Sequence, residues 1–295
     1  MAGTTLLRVE TLDSVGATTT VTRSGGESHV VRSLAEDPGF LPRTTLVPGP
    51  YDDSRTLVLL PAAWTSADGP LPVIVSPYGG PHHAEVLYAG RIYLGAQWIA
   101  DQGFAVVVAD GHGTPGSPAW EREMRLDLAG PALEGQVRGL EAAAKAFPEA
   151  LDLSRVGIRG WSFGGYLAAL AVLQRPDVFH AAVAGAPPSD WTLYDTAYTE
   201  RYLGLPDEQP EAYASASLLP LAPQLERPLL IIHGMADDNV VVANTLQLSR
   251  ALLEAARPHQ VLPLSGVTHM TPQEVVTENI LRLELDFLRR ALQAG

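Results

Sequence analysis

The sequence predicts an α/β fold, a mostly parallel, doubly wound sheet with helices on both faces, preceded by a short N-terminal β-meander. Three observations carry that reading. Strand-like and helix-like runs alternate from about residue 55, the later apolar runs are continuous, and the last helix has a clear start signal. Continuous apolar runs suit strands buried on both faces.

The elements follow in order. Residues 5–11, 18–22 and 28–34 are Thr- and Val-rich runs separated by polar turns at Gly16 and Ser24-Gly25-Gly26, which predicts small strands. This meander, residues 1–45, holds too little apolar material to stand alone. It must pack on the main unit, residues 46–295, or be a remnant of something larger. Asp37-Pro38-Gly39 and Pro48-Gly49-Pro50 punctuate the junction. Strands are expected at 56–60, 71–77, 104–109, 155–159, 180–185, 228–232 and 260–264. Helices are expected at 88–100, 131–146, 163–174, 242–256 and 272–292. In the last of them, Thr271, Pro272 and Glu274 fit an N-cap, a first-turn proline and a capping-box partner. Val276, Ile280, Leu283, Phe287 and Ala291 then form one apolar stripe.

Composition excludes several classes. The 20 basic and 33 acidic residues give a net charge of −13, which repels nucleic acid and anionic membranes. Lys145 is the only lysine, and the arginines form no basic run. Without cysteine there is no disulfide, thiolate metal site or cysteine nucleophile. No apolar run reaches the roughly 18 residues of a membrane span, and the N-terminus lacks a secretory pattern. The expectation is a cytoplasmic globular protein. His29, His82, His83, His112, His180, His233 and His259 show no zinc-like spacing, so neither metal nor cofactor is expected.

One motif carries chemistry. Gly160-Trp161-Ser162-Phe163-Gly164 follows a short strand and opens a helix, the setting of a G-x-S-x-G nucleophile elbow. The sharp turn lifts the Ser162 hydroxyl clear of the sheet, and side chains at Gly160 and Gly164 would clash with neighbouring backbone. The Phe163 N–H, at a helix N-terminus, can stabilise an oxyanion. On such a fold an acid and then a histidine follow the serine. Asp237 and Asp238 lie in the loop after the strand Pro228–Ile232, and His269 lies after the last strand. His269 would take the proton of Ser162, and an aspartate would fix its tautomer. Asp237 is the preferred acid and Asp238 the alternative, since the pattern alone does not separate neighbours.

These residues resemble a known family. Gly160-Trp-Ser-Phe-Gly-Gly-Tyr166, Tyr194-Asp-Thr-Ala-Tyr-Thr-Glu-Arg-Tyr-Leu-Gly204 and His233-Gly-Met-Ala-Asp-Asp-Asn-Val240 are similar to the catalytic domain of the prolyl oligopeptidase family, closest to its dipeptidyl peptidase IV branch. Ser76-Pro-Tyr-Gly-Gly-Pro81 and Asp110-Gly-His-Gly-Thr-Pro-Gly116 resemble that branch too, and the similarity spans about residues 55–292. The resemblance implies an α/β-hydrolase fold and a triad of Ser162, Asp237 and His269, favouring Asp237 over Asp238. It implies that the Tyr78 hydroxyl completes the oxyanion hole beside the N–H of Phe163. It further implies that Trp191, Tyr194, Tyr198 and Val240 wall the pocket for the residue before the scissile bond, and that Asn239 holds a substrate carbonyl. Spacing adds that Trp191, Tyr194 and Tyr198 fall at i, i+3 and i+7, one face of a helix. On spacing alone an ordinary buried stripe is the better reading.

Phe163, Pro188 and His112 depart from the tyrosine, valine and arginine of the branch. The N-terminal β-propeller usual in the family, with the acidic pair that holds a substrate amino terminus, has no counterpart beyond the propeller-remnant-like meander. Three functions compete. The first is a serine peptidase cleaving after proline or a small residue, and the second is an esterase acting on small esters with the same triad. The third is a non-catalytic module docked to a separate propeller chain. A surface exposed where a propeller would sit would favour homo-oligomers.

Overall fold

The computed structural model describes residues 3–49, 51, 54–114 and 118–293. Residues 1–2 of the meander, Pro50, and Pro115 and Gly116 of the motifs quoted above lie outside the described residues.

Strands β1 (Thr4–Val9), β2 (Thr18–Arg23) and β3 (Ser28–Val31) form an antiparallel sheet in that order. The main sheet uses β4 (Thr44–Pro48), β5 (Arg55–Leu59), β6 (Leu71–Val75), β7 (Ala105–Ala109), β8 (Leu151–Trp161), β9 (Ala181–Gly185), β10 (Leu229–Gly234) and β11 (Gln260–Leu264). Its order is β11-β10-β9-β8-β6-β7-β5-β4. Strands β11 to β7 run parallel, while β5 and β4 close one edge antiparallel. The helices are α1 (Leu94–Ala100), α2 (Pro118–Glu123), α3 (Gly130–Ala146), α4 (Phe163–Gln174), α5 (Thr196–Leu203), α6 (Pro210–Ala216), α7 (Ala243–Glu254) and α8 (Glu274–Gln293). Buried residues of α3, α4 and α7 share one core with the sheet, and those of α1 and α8 share the core on the other face. This is the predicted doubly wound α/β-hydrolase architecture.

Central strands β7, β9 and β10 are buried throughout, as their unbroken apolar runs require. Helix α4 is apolar on every side, because it lies between the sheet and the helices packed outside it. At its start, a Cβ on Gly165 would stand 2.1 Å from the carbonyl oxygen of Gly185 in β9. The helix therefore sits against the strand backbone, and that contact fixes the height of the residue before the helix. Asp127 accepts from the N–H groups of Ala129 and Gly130 and satisfies the start of α3.

Several expectations need correction. Helix α8 begins at Glu274, and its first backbone bond runs from the Thr277 N–H to the Gln273 carbonyl, so Thr271 is not the N-cap. Instead the Thr271 carbonyl receives the Thr277 hydroxyl. Leu283 of the expected stripe is exposed, while Glu284 is buried and paired with Arg159 of β8 at 2.6 Å. The expected helix at 88–100 splits into a 3-10 turn, Gly90–Tyr93, and α1. The strand expected at 155–159 runs from Leu151 to Trp161. The structure adds strand β4 and helices α2 and α6, which the sequence pattern does not predict. They are short, and α2 (Pro-Ala-Trp-Glu-Arg-Glu) has no apolar period.

The first sheet touches the main body through the segment after β1. The Gly90 N–H donates to the Thr11 carbonyl at 2.8 Å, and Leu12 packs on the core beneath α1 and α8. Every residue of β1 and β3 is exposed.

The Gly165 contact generates a prediction. Gly165→Ala drives a methyl into the β9 backbone and is expected to cost about 1–3 kcal/mol, read as a lower urea midpoint with an unchanged m-value.

Candidate active site

Ser162 stands between β8 and α4 with φ +58° and ψ −121°, outside the ordinary regions for a residue with a side chain. Such a conformation costs of order 1–3 kcal/mol and persists only where its surroundings enforce it. Its N–H donates to the Gly185 carbonyl at 2.8 Å, and its carbonyl accepts from the Tyr166 N–H at 2.9 Å. A Cβ on Gly160 would stand 2.3 Å from the Gly164 oxygen, and one on Gly164 would stand 2.4 Å from the Pro77 oxygen. The elbow therefore tolerates no side chain at either expected position. The N–H of Phe163 lies in the first turn of α4, where no intrahelical acceptor exists.

Asp237 and His269 are joined. Asp237 Oδ2 accepts from His269 Nδ1 at 2.8 Å, and Oδ1 accepts from the N–H groups of Asn239 and Val240 at 3.0 and 2.9 Å. The Asp237 carboxylate is buried, whereas Asp238 is exposed. Geometry thus separates the two neighbours. His233 stands 3.4 Å from the same carboxylate, but burial lowers its pKa and keeps it neutral. In that state its Nε2–H donates to the Val240 carbonyl at 2.8 Å, and its Nδ1 accepts the Thr245 hydroxyl at 2.6 Å. His233 therefore builds the loop that carries Asp237. Trp161, beside the serine, donates its Nε1–H to the His269 carbonyl at 2.9 Å. Ser162 and His269 share no hydrogen bond here, and such contacts often tighten only with substrate present.

The structure brings Trp191, Tyr194 and Tyr198 together by a route the spacing did not give. Trp191 opens a 3-10 turn (Trp191–Leu193), Tyr194 is extended, and only Tyr198 lies in α5. They do not form one helical face. Two aspartates set the break. Asp190 accepts from the Thr192 N–H and caps the turn, and Asp195 accepts from the Tyr198 N–H and caps α5. The Trp191 and Tyr198 rings stack with centroids 6.2 Å apart, and Tyr194 stands edge-on to both. Buried Asn244 of α7 fixes this segment by accepting from the N–H groups of Ser189 and Asp190. Asn239 Oδ1 receives the Tyr194 hydroxyl at 3.0 Å, and Val240 is fully buried behind the acid. The Tyr198 hydroxyl is buried and makes no hydrogen bond.

Tyr78 lies in the loop three residues after β6, its ring 5.9 Å from that of Phe163. Burial, with Tyr194 and Glu85 nearby, pushes its phenol up to about 12, so it remains a neutral donor across the physiological range. The chain beyond it is pinned from below. Asp110 accepts from the N–H groups of Glu85 and Val86, and the Tyr93 hydroxyl accepts from the Leu87 N–H. Burial raises the pKa of both Asp110 and Glu85. His112 stacks on Tyr51 at 3.8 Å and pairs with Glu123. Asp190, Asp195 and Asn244 are supports that the sequence pattern does not single out, whereas His233, at the end of the strand before Asp237, reads as structural. Asp190 and Asp195, each directly ahead of a short helical segment, are the visible signal.

The prolyl oligopeptidase family profile matches residues 91–295. Human dipeptidyl peptidase 8 is 37% identical over 196 residues, covering 64% of this chain and 22% of that protein. Human prolyl endopeptidase FAP is 32% identical over 212 residues, covering 67% and 26%. The crystal structure of Porphyromonas gingivalis dipeptidyl peptidase 4 superposes with a TM-score of 0.85 at 25% identity, covering 98% of this chain and 43% of that one. The chain thus spans about a quarter of the length of the curated relatives it matches. On the profile match and the shared architecture together, the chain belongs to the prolyl oligopeptidase family.

Proposed function

We propose that the chain is a serine peptidase that cleaves after proline or a small residue, with Ser162, Asp237 and His269 as its triad. The observation that carries this reading is the Asp237–His269 bond, made by a doubly amide-bonded buried carboxylate on the same end of the sheet as the Ser162 elbow. In this reading Asp237 holds the proton on Nδ1, which leaves Nε2 basic toward the serine. Ser162 Oγ attacks the carbonyl carbon as His269 Nε2 takes its proton. The oxyanion is met by the Tyr78 hydroxyl and the Phe163 N–H. His269 passes the proton to the leaving amine and the C–N bond breaks. Water, activated by His269, then hydrolyses acyl-Ser162. The residue before the scissile bond lies against Trp191, Tyr194 and Tyr198, whose flat walls fit a proline ring, while the Asn239 amide group holds a substrate carbonyl. Tyr78 suits the oxyanion role because its raised pKa keeps the hydroxyl proton in place for donation.

The first test is turnover of acetyl-Ala-Pro 4-nitroanilide beside a short-chain nitrophenyl ester. Amide turnover that disappears in Ser162→Ala supports the reading. Ester turnover without amide turnover replaces it with esterase chemistry. Two substitutions then separate the acids. Asp237→Asn is expected to lower kcat about 10⁴-fold by allowing the wrong tautomer, while Asp238→Asn stays within about twofold of the parent. Tyr78→Phe is expected to lower kcat by about 10²–10³-fold with KM little changed, measured on the same amide.

A further inference from the structure

Past Tyr198 the aromatic wall ends at a cavity of about 290 Å³ lined by Glu121, Arg122, Arg125, Arg201 and Tyr202. Three of the chain's 20 basic residues meet there, in a chain with 33 acidic ones. The single lining carboxylate is already engaged. Glu121 accepts the Tyr202 hydroxyl at 2.6 Å and Arg201 Nη2 at 3.1 Å, contacts that hold its pKa below the usual carboxylate range. The neighbouring Glu123 is engaged by His112. Among the described residues, Arg122 and Arg125 form no ion pair. Three guanidiniums against one carboxylate leave an excess of positive charge, and the guanidinium fork matches a carboxylate. The same field repels an ammonium group.

The cavity adjoins the pocket. Tyr202 lies one turn after Tyr198 in α5, with ring centroids 5.2 Å apart. His82 bridges the two, its ring 5.7 Å from that of Tyr198 and its Nε2 2.8 Å from the Tyr202 hydroxyl. A leaving group departs toward His269. In the peptidase reading, an acyl portion that runs on from a last side chain seated against Tyr198 meets His82 and Tyr202 next, the two groups that touch that ring on this side. At about 3.3–3.6 Å per extended residue, two or three residues carry it to the arginines.

We propose that Arg122, Arg125 and Arg201 bind a carboxylate on the acyl portion of the substrate, two to three residues before the scissile bond. The chain then prefers acidic or succinyl-blocked peptides to peptides with a free amino terminus. This rests on the peptidase reading. The test compares succinyl-Gly-Pro, acetyl-Gly-Pro and unblocked Gly-Pro 4-nitroanilides. The expected order of kcat/KM is succinyl, acetyl, unblocked, with about tenfold between the first two, equivalent to ~1.4 kcal/mol. In the Arg122→Ala, Arg125→Ala double variant the succinyl-to-acetyl ratio falls to about one. In the parent it also shrinks as NaCl rises from about 0.05 to about 0.5 M. The ratio is internal to each protein, so a general loss of activity does not mimic the effect. A second arm needs no catalysis and measures binding of succinyl-Gly-Pro and acetyl-Gly-Pro to Ser162→Ala by calorimetry, with and without the two arginines. Arginine-dependent preference there, with no amide turnover in the parent, sustains the carboxylate site and removes the peptidase reading. Equal binding of the two ligands, or preference for the unblocked amide, overturns the site even if turnover is fast.

Discussion

The site depends on one buried carboxylate. Asp237 is a charge taken out of water, an arrangement that is costly unless every acceptor position is used. Two backbone N–H groups and one imidazole satisfy it, and neutral His233 braces the loop around it. Because two of the three donors are backbone, the turn from Asp237 to Val240 takes its shape from the carboxylate as much as the carboxylate is placed by the turn. The same turn presents Asn239 to Tyr194. One ionised group therefore ties the histidine to the aromatic pocket, although the two sit on separate stretches of chain.

The opposite side is built by close approach rather than by charge. Glycines at the start of α4 let the helix meet β9 and the Pro77–Tyr78 backbone within distances that admit no side chain. That contact sets the positive φ of Ser162 and brings the Phe163 ring beside Tyr78. The strain at the serine is thus held by packing of the largest core, which includes Phe163, Tyr166 and Leu167. The geometry of the Ser162 elbow and fold stability are coupled at this turn, so a substitution that loosens the helix changes both.

Much of this was legible in the sequence, for physical reasons. Runs such as Ala105–Ala109 and Leu229–Ile232 are too uniformly apolar to be anything but doubly buried strands. The elbow glycines announce a backbone contact that no other residue allows. Asp237 was separable from Asp238 only by resemblance until burial distinguished them. What stayed hidden depends on contacts distant in sequence. Glu284 reads as a solvent-facing residue of α8 until Arg159, 125 positions earlier, is seen against it. The spacing of Trp191, Tyr194 and Tyr198 suggested a single helix because periodicity cannot register a cap such as Asp195, which restarts the helix between two of them. Thr271 illustrates the reverse, a good capping residue whose carbonyl and hydroxyl oxygens both receive the Thr277 side chain while the helix starts after it.

The N-terminal sheet has a different energetic character from everything that follows it. Its three strands bury almost no apolar surface, and Leu6, Leu7, Val30 and Val31 face solvent. Backbone hydrogen bonds hold it together, and nothing in a core opposes their breaking. Its amides are therefore set to exchange with solvent through local opening alone, while those of α4 and β9 wait for the whole molecule to unfold. The chain carries two clocks of very different speed, joined where Thr11 meets Gly90.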